Sequence, residues 1–188
     1  MEQSRSLRVK TSMSHGLVIG AILIVFALLT NLAGEGAGSL IRLLHWAVII
    51  AAIYYSGKTW RDQFCDGSIS YSRALGFGVM TMFFASIIYG FYTMVYMNWI
   101  RPEAVDEALM VIEESYFEMG FSDDQIEMFM DAATRLQTPV WQMITTILGT
   151  TFSGFIISLI VSFFIKRDKD PFQSAMRGLE EKESTDNN

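Results

Sequence analysis

Four long apolar runs dominate the chain and predict four membrane-spanning helices. They cover residues 16–33, 40–56, 74–100 and 140–165. A helix needs roughly 20 mostly apolar residues to cross the hydrocarbon core of a bilayer. A helix in a soluble core would show a polar stripe at the helical period, and residues 17–29 have none. The pattern therefore predicts an all-α membrane protein.

The ends of these runs carry further signals. Thr138 followed by Pro139 is typical of an N-cap and a first helical residue. The second run is the shortest, and Arg42 and His45 lie in its first turns.

The first run follows a basic segment, as the apolar part of a secretory signal peptide does. Its apolar part is longer than usual for a signal peptide and its cleavage signal is weak, so we expect a retained helix.

The polar segment between the third and fourth runs predicts an extramembrane helical hairpin over residues 102–137. Gly120 separates two periodic apolar patterns and is typical of the residue after a helix C-cap. Ser122 with Gln125 three residues later forms a capping box. The predicted helices are 102–119 and 123–137. Their apolar positions are Val105, Leu109, Ile112, Tyr116, Ile126, Phe129, Met130 and Ala133.

This hairpin is strongly acidic. Residues 101–138 hold half of the 20 carboxylates of the chain and only two arginines, so the acidic excess behind the chain's net charge of −6 lies in this segment. The carboxylates form either a solvated face or a site for a basic partner or divalent cations; the EF-hand spacing for calcium is absent. The apolar faces pack on each other, lie on the membrane or meet another protein. The candidate partner-binding residues are Leu109, Ile112, Tyr116, Phe129 and Met130.

The basic residues predict the orientation, because they are retained on the cytoplasmic side of spans. With four crossings, the residues before the first run, between the second and third, and after the fourth share one side. That side carries Arg5, Arg8, Lys10, Lys58, Arg61, Arg73, Lys166, Arg167, Lys169, Arg177 and Lys182, against Arg42, Arg101 and Arg135 opposite. Both termini are therefore predicted to be cytoplasmic and residues 101–138 periplasmic.

Small residues recur at four-residue spacing within the third and fourth runs. Such residues let membrane helices approach closely, within one bundle or between protomers. The candidate helix-packing residues are Gly78, Ser86, Gly90, Gly154 and Ser158. Ionisable residues inside a span are functional candidates. Arg42 and His45 are the candidate intramembrane polar residues, with structural anchoring or an ion role as the alternatives.

The sequence offers little material for catalysis. A single cysteine, Cys65, excludes an internal disulfide and a multi-cysteine metal site. His15 and His45 are predicted on opposite sides of the membrane. The zinc-protease, nucleophile-elbow and phosphate-loop motifs are absent. We therefore expect no catalytic residues, no metal and no cofactor, hence no enzyme. The basic residues lie where signals for membrane orientation are expected, so they give little support to a nucleic-acid-binding site.

The order of several weak motifs resembles a known family. Residues 67–71 and 76–78 open the third run, which ends at residues 100–102, and residues 154–160 with Lys166 and Arg167 end the fourth. Across residues 12–167 this resembles the domain-of-unknown-function family 4199, small membrane proteins found mainly in Bacteroidota. The resemblance implies a bacterial inner-membrane location. It implies no activity and no site residues.

These patterns together predict the organisation and the function. Residues 1–13 form a cytoplasmic segment, 14–167 a four-helix transmembrane domain with the periplasmic hairpin, and 168–188 a disordered cytoplasmic tail. The predicted function is a non-enzymatic accessory or scaffold protein that uses the hairpin for interaction. The alternative is a small oligomeric channel or transporter. The expected partners are the lipid bilayer and another membrane or periplasmic protein, or a second copy.

Overall fold

Six helical segments make up residues 2–167, the part of the chain that the computed structural model describes; side chains are described for residues 6–32 and 43–167. The predicted tail 168–188 and the Arg42 side chain lie outside this part. The segments are α1 (Glu2–Phe64), α2 (Tyr71–Val95), a π-helical segment (Tyr96–Ile100), α3 (Glu103–Glu118), α4 (Asp123–Arg135) and α5 (Pro139–Ile165). The described chain is therefore all-helical, as predicted.

The first helical element does not run straight. Phe26 and His45 would lie about 28 Å apart along a straight α-helix, yet their ring centroids are 5.6 Å apart. His15 and Trp60, far more distant in sequence, both contact the ring of Phe77. The chain therefore reverses direction between Phe26 and His45. We call residues 6–32 the first arm of α1 and residues 43–64 its second arm.

Three described helices are long and apolar enough to cross a membrane: Ser6–Leu32, Tyr71–Ile100 and Pro139–Ile165. They correspond to the first, third and fourth apolar runs. The third begins at Tyr71, slightly before the predicted start at residue 74. The Tyr71 hydroxyl donates a hydrogen bond to the carbonyl of Leu159 on α5 at 3.1 Å. This contact ties the first residue of α2 to α5.

Helix α2 lies at the centre of the bundle, packed against both α5 and α1. Glycines make these contacts close. A Cβ at Gly16 would lie 2.7 Å from the Cβ of Phe84, and one at Gly20 would lie 3.1 Å from Ile88. The first arm and α2 therefore approach almost backbone to backbone, as small residues allow in membrane helices.

The end of the bundle formed by the last turns of the second arm and of α5 is closed by polar and aromatic contacts. Trp60 stacks on Phe77, which is fully buried, with centroids 5.0 Å apart. Arg61 donates a hydrogen bond to the carbonyl of Ile165 at 3.2 Å, at the C-terminus of α5. The backbone of Ile69 exchanges two hydrogen bonds with Arg167. These contacts join the second arm, the loop before α2 and the end of α5, and satisfy carbonyls that a helix end leaves free.

Candidate functional site: the α3–α4 surface and the bundle interior

The turn between α3 and α4 is a Schellman motif built on Gly120. Its φ of +81° lies in the left-handed region that glycine adopts without strain. The amide of Gly120 donates to the carbonyl of Phe117 at 3.0 Å, and the amide of Phe121 to the carbonyl of Tyr116 at 3.3 Å. The expected start of α4 is also present: the Gln125 side-chain oxygen accepts from the backbone amide of Ser122 at 3.1 Å.

An aromatic cluster holds the two helices together. The rings of Tyr116, Phe121 and Phe129 contact one another with centroids 5.2–5.7 Å apart. Two of the three pairs meet edge to face, an arrangement that is favourable beyond the area it buries. The cluster fixes α3 against α4 from one side of the turn.

The predicted partner-binding residues are not freely exposed. Leu109, Ile112, Tyr116, Phe129 and Met130 are all half-buried, and Tyr116 and Phe129 contact each other. The exposed apolar residues of this region are a different set: Met110, Val111, Phe117, Met119 and Met128. Sequence reasoning missed them because it followed the longest periodic pattern on each helix. The signal that could have found them is the 110–117 spacing, which puts Met110 and Phe117 on one face of α3.

A groove of about 730 Å³ runs between α3 and α4. Its apolar lining comes from Met110, Phe117, Ile126 and Met130, and its acidic lining from Glu113, Glu114, Asp123, Glu127 and Asp131. Asp131 pairs with Arg135 at 2.9 Å. Within the described chain, the other four carboxylates have no ion-pair partner. No group of residues there is arranged to hold a metal ion.

The α3–α4 pair meets the bundle mainly through the π-helical segment. Arg101 follows that segment and forms a bidentate ion pair with Glu107 of α3 at 2.7 and 2.9 Å. Tyr96 and then Glu107 raise the pKa of the Arg101 guanidinium by hydrogen bonding and charge. Asn98 in the same segment donates to the Gln142 side chain at 2.9 Å. The pair is thus attached at its base, and its groove is clear of the bundle.

Inside the bundle, the five small residues predicted for helix packing all lie buried on α2 and α5. A Cβ at Gly78 would lie 2.7 Å from the Ser158 hydroxyl, and one at Gly154 would lie 2.5 Å from the Cβ of Met82. Ser86 shares a hydrogen bond with Thr151 at 2.9 Å. The structure therefore brings both predicted stripes into one intramolecular interface.

A cavity of about 220 Å³ lies between the second arm of α1 and α5. These two helices meet at their C-terminal ends, where Gly57 lies against Ile165. The cavity occupies the opposite half of the bundle. One face of α5 lines it with Thr146, Gly149, Thr150, Ser153, Gly154 and Ile157; the remaining lining is Leu23, His45, Trp46, Ile49, Met82 and Tyr89.

The predicted intramembrane histidine is part of this cavity. His45 is half-buried, and its ring contacts Phe26 and Trp46 edge-on. His15 lies elsewhere, against Phe77, so the two imidazoles do not form one site. Sequence reasoning named His45 but not the hydroxyls that surround it. The spacing of these hydroxyls on α5 can be read from the sequence, whereas the helix that they face is known only from the structure.

A known family matches most of the chain. Residues 14–167 match the family described as "Protein of unknown function (DUF4199)". The chain belongs to this family. The match covers the bundle and the α3–α4 pair and confirms the resemblance inferred from the motif order. No curated protein and no solved structure matches the chain.

Proposed function

We propose that this DUF4199 protein is a non-enzymatic, multi-pass accessory protein that binds a basic, amphipathic segment of a partner protein in the groove between α3 and α4. The single observation that carries this proposal is the groove lining. Apolar side chains and unpaired carboxylates lie side by side on a helix pair that the bundle leaves uncovered.

The chemistry of the groove selects the kind of partner. Phe117 and Met110 are 70% and 65% exposed, and large exposed apolar side chains that lie together are typical of interaction sites. An amphipathic helix places its apolar face in such a groove. Lysines and arginines beside that face would meet Glu113, Glu114 and Glu127, and complementary charge favours encounter and selectivity.

The proposed setting is the bacterial inner membrane, with four crossings. The side-by-side arms of α1 support the fourth crossing, because the second arm follows the bundle from His45 beside Phe26 to Trp60 beside Phe77. The distribution of basic residues supports cytoplasmic termini and a periplasmic α3–α4 pair. The groove would then be open to a periplasmic partner or to the periplasmic part of a membrane partner.

Matched charge reversals test this proposal. Glu114→Lys with Glu127→Lys changes the groove, whereas Glu118→Lys with Asp124→Lys makes the same charge change outside it. Partners are captured by cross-linking in mild detergent and quantified by mass spectrometry. The groove variant is expected to lose a stoichiometric partner by about tenfold or more, the effect of roughly 1.4 kcal/mol. Equal recovery with both variants, or no stoichiometric partner with the native chain, contradicts the proposal.

A second variant separates apolar contact from charge. Met110→Ser with Phe117→Ser removes exposed side chains, so it should weaken recovery without unfolding α3 or α4. Leu109 and Ile112 are unsuitable for this purpose because both are half-buried. Circular dichroism provides the check that helix content is unchanged. Undiminished recovery with the serine variant would show that the apolar lining takes no part.

A further inference from the structure

The cavity between the second arm and α5 contains polar groups that the protein itself does not satisfy. Within the described residues, the hydroxyls of Thr146, Thr150 and Ser153 have no hydrogen-bond partner. Their neighbours on the same helix do: Thr145 donates to the carbonyl of Trp141 at 3.0 Å, and Thr151 bonds Ser86. All three of these unpaired hydroxyls line the cavity, whereas the unpaired hydroxyl of Ser158 on the same helix lies against Gly78 of α2.

These hydroxyls decide between an apolar and a polar occupant. A hydroxyl left unpaired in an apolar environment costs about 1–3 kcal/mol. An acyl chain in the cavity would offer them only the carbonyls of their own helix, which Thr145 uses but none of the three uses in this structure. Water or a polar solute would satisfy all three. His45 and Tyr89 add further hydrogen-bonding groups on the facing side.

Charge and size then define the class of ligand. The cavity lining contains no aspartate, glutamate, lysine or arginine, so it offers no fixed countercharge for an ion. Its volume of about 220 Å³ corresponds to about seven water molecules. We propose that the cavity is hydrated and binds a small uncharged solute bearing hydroxyl groups, of the polyol class. This inference does not depend on the role proposed for the groove.

Thiol labelling tests the hydration. In a Cys65→Ser background, Thr150→Cys places a thiol in the cavity, and Leu148→Cys places one on the outer surface of the same helix, where Leu148 is 64% exposed. The probe is a charged methanethiosulfonate applied to membranes. A thiol surrounded by lipid has a raised pKa and little thiolate, so Thr150→Cys is expected to react about tenfold faster or more. Equal rates would show a dry cavity and overturn the proposal.

Filling the cavity identifies the route of the reagent. A Cβ at Gly149 meets no atom within 4 Å, so Gly149→Ala should leave the Thr150→Cys rate unchanged. Gly149→Phe should reduce it to the Leu148→Cys rate. An unchanged rate with Gly149→Phe, in protein with native helix content, would show that the reagent arrives by another path and would overturn the assignment.

Protection by glycerol tests the ligand class. Glycerol should slow labelling of Thr150→Cys, and tetramethylammonium chloride at the same concentration should not. Glycerol should leave unchanged the labelling of a surface thiol at Met119→Cys, a position that is 70% exposed. Protection by the cation, or equal slowing at both thiols, would overturn binding of an uncharged polyol.

Discussion

At the scale of single residues, glycines determine how closely the helices pack, and their contacts differ sharply. Gly154 faces the Cβ and Cγ of Met82, which cannot move far because Met82 is itself buried. Gly149, on the same helix, faces open space in the cavity. Two glycines that look alike in the sequence therefore have opposite tolerance for a methyl group.

This contrast gives a stability prediction. Gly154→Ala places a Cβ within 2.5 Å of Met82 and is expected to lower the free energy of unfolding by about 1–3 kcal/mol. Gly149→Ala should leave it unchanged or raise it by up to about 1 kcal/mol, because alanine favours helix. Thermal unfolding of both variants in the same detergent provides the measurement. Equal destabilisation would show that the α2–α5 interface is not packed as described.

At the scale of elements, α3 and α4 form a pair whose geometry is set locally. The Schellman turn at Gly120, the Ser122–Gln125 cap and the Tyr116–Phe121–Phe129 cluster all lie within the pair. Few contacts link the pair to the bundle. It should therefore respond to mutation separately from the helices of the bundle.

Gly120→Ala tests this independence. The φ of +81° at Gly120 strains any residue with a Cβ, at a cost of about 1–2 kcal/mol. Amide hydrogen exchange is expected to accelerate across α3 and α4 and to stay unchanged in α2 and α5. Gly76→Ala is the control, since Gly76 is helical and a Cβ there meets nothing within 4 Å. Faster exchange throughout the bundle would contradict the independence of the pair.

At the scale of the whole molecule, the central question is how often the chain crosses the membrane. Among the described residues, three helices are long and apolar enough to cross a membrane, and the second arm of α1 lies beside the first. If the second arm crosses, Cys65 and the amino terminus share one side and α3–α4 lies on the other. If it does not cross, Cys65 and the amino terminus lie on opposite sides.

Labelling with a membrane-impermeant maleimide distinguishes these arrangements. In intact spheroplasts we expect Cys65 to be protected from the maleimide and an amino-terminal epitope tag to be inaccessible to its antibody. Met119→Cys in a Cys65→Ser background should be labelled. Burial raises the pKa of the Cys65 thiol, so its labelling in opened membranes should accelerate as pH rises and the thiolate forms. A tag and Cys65 on opposite sides would reduce the count to three crossings.

Local signals in the sequence determined the helices and most of their ends. Thr138 and Pro139 begin α5, and Gly120 and Ser122 separate α3 from α4, because caps depend on residues only a few positions apart. The apolar runs likewise determined that three helices have membrane-spanning length, since lipid requires continuous apolar surface. The family match followed from the order of such features.

Contacts between distant residues were decided only by the tertiary structure. The sequence showed the apolar faces of α3 and α4, but not that Tyr116 would pack inside while Phe117 stayed outside. It named His45, but not its position across a cavity from Thr150. Periodicity identifies a helix face, whereas the neighbour of that face depends on packing between elements far apart in the chain. The groove and the cavity both arise at such junctions.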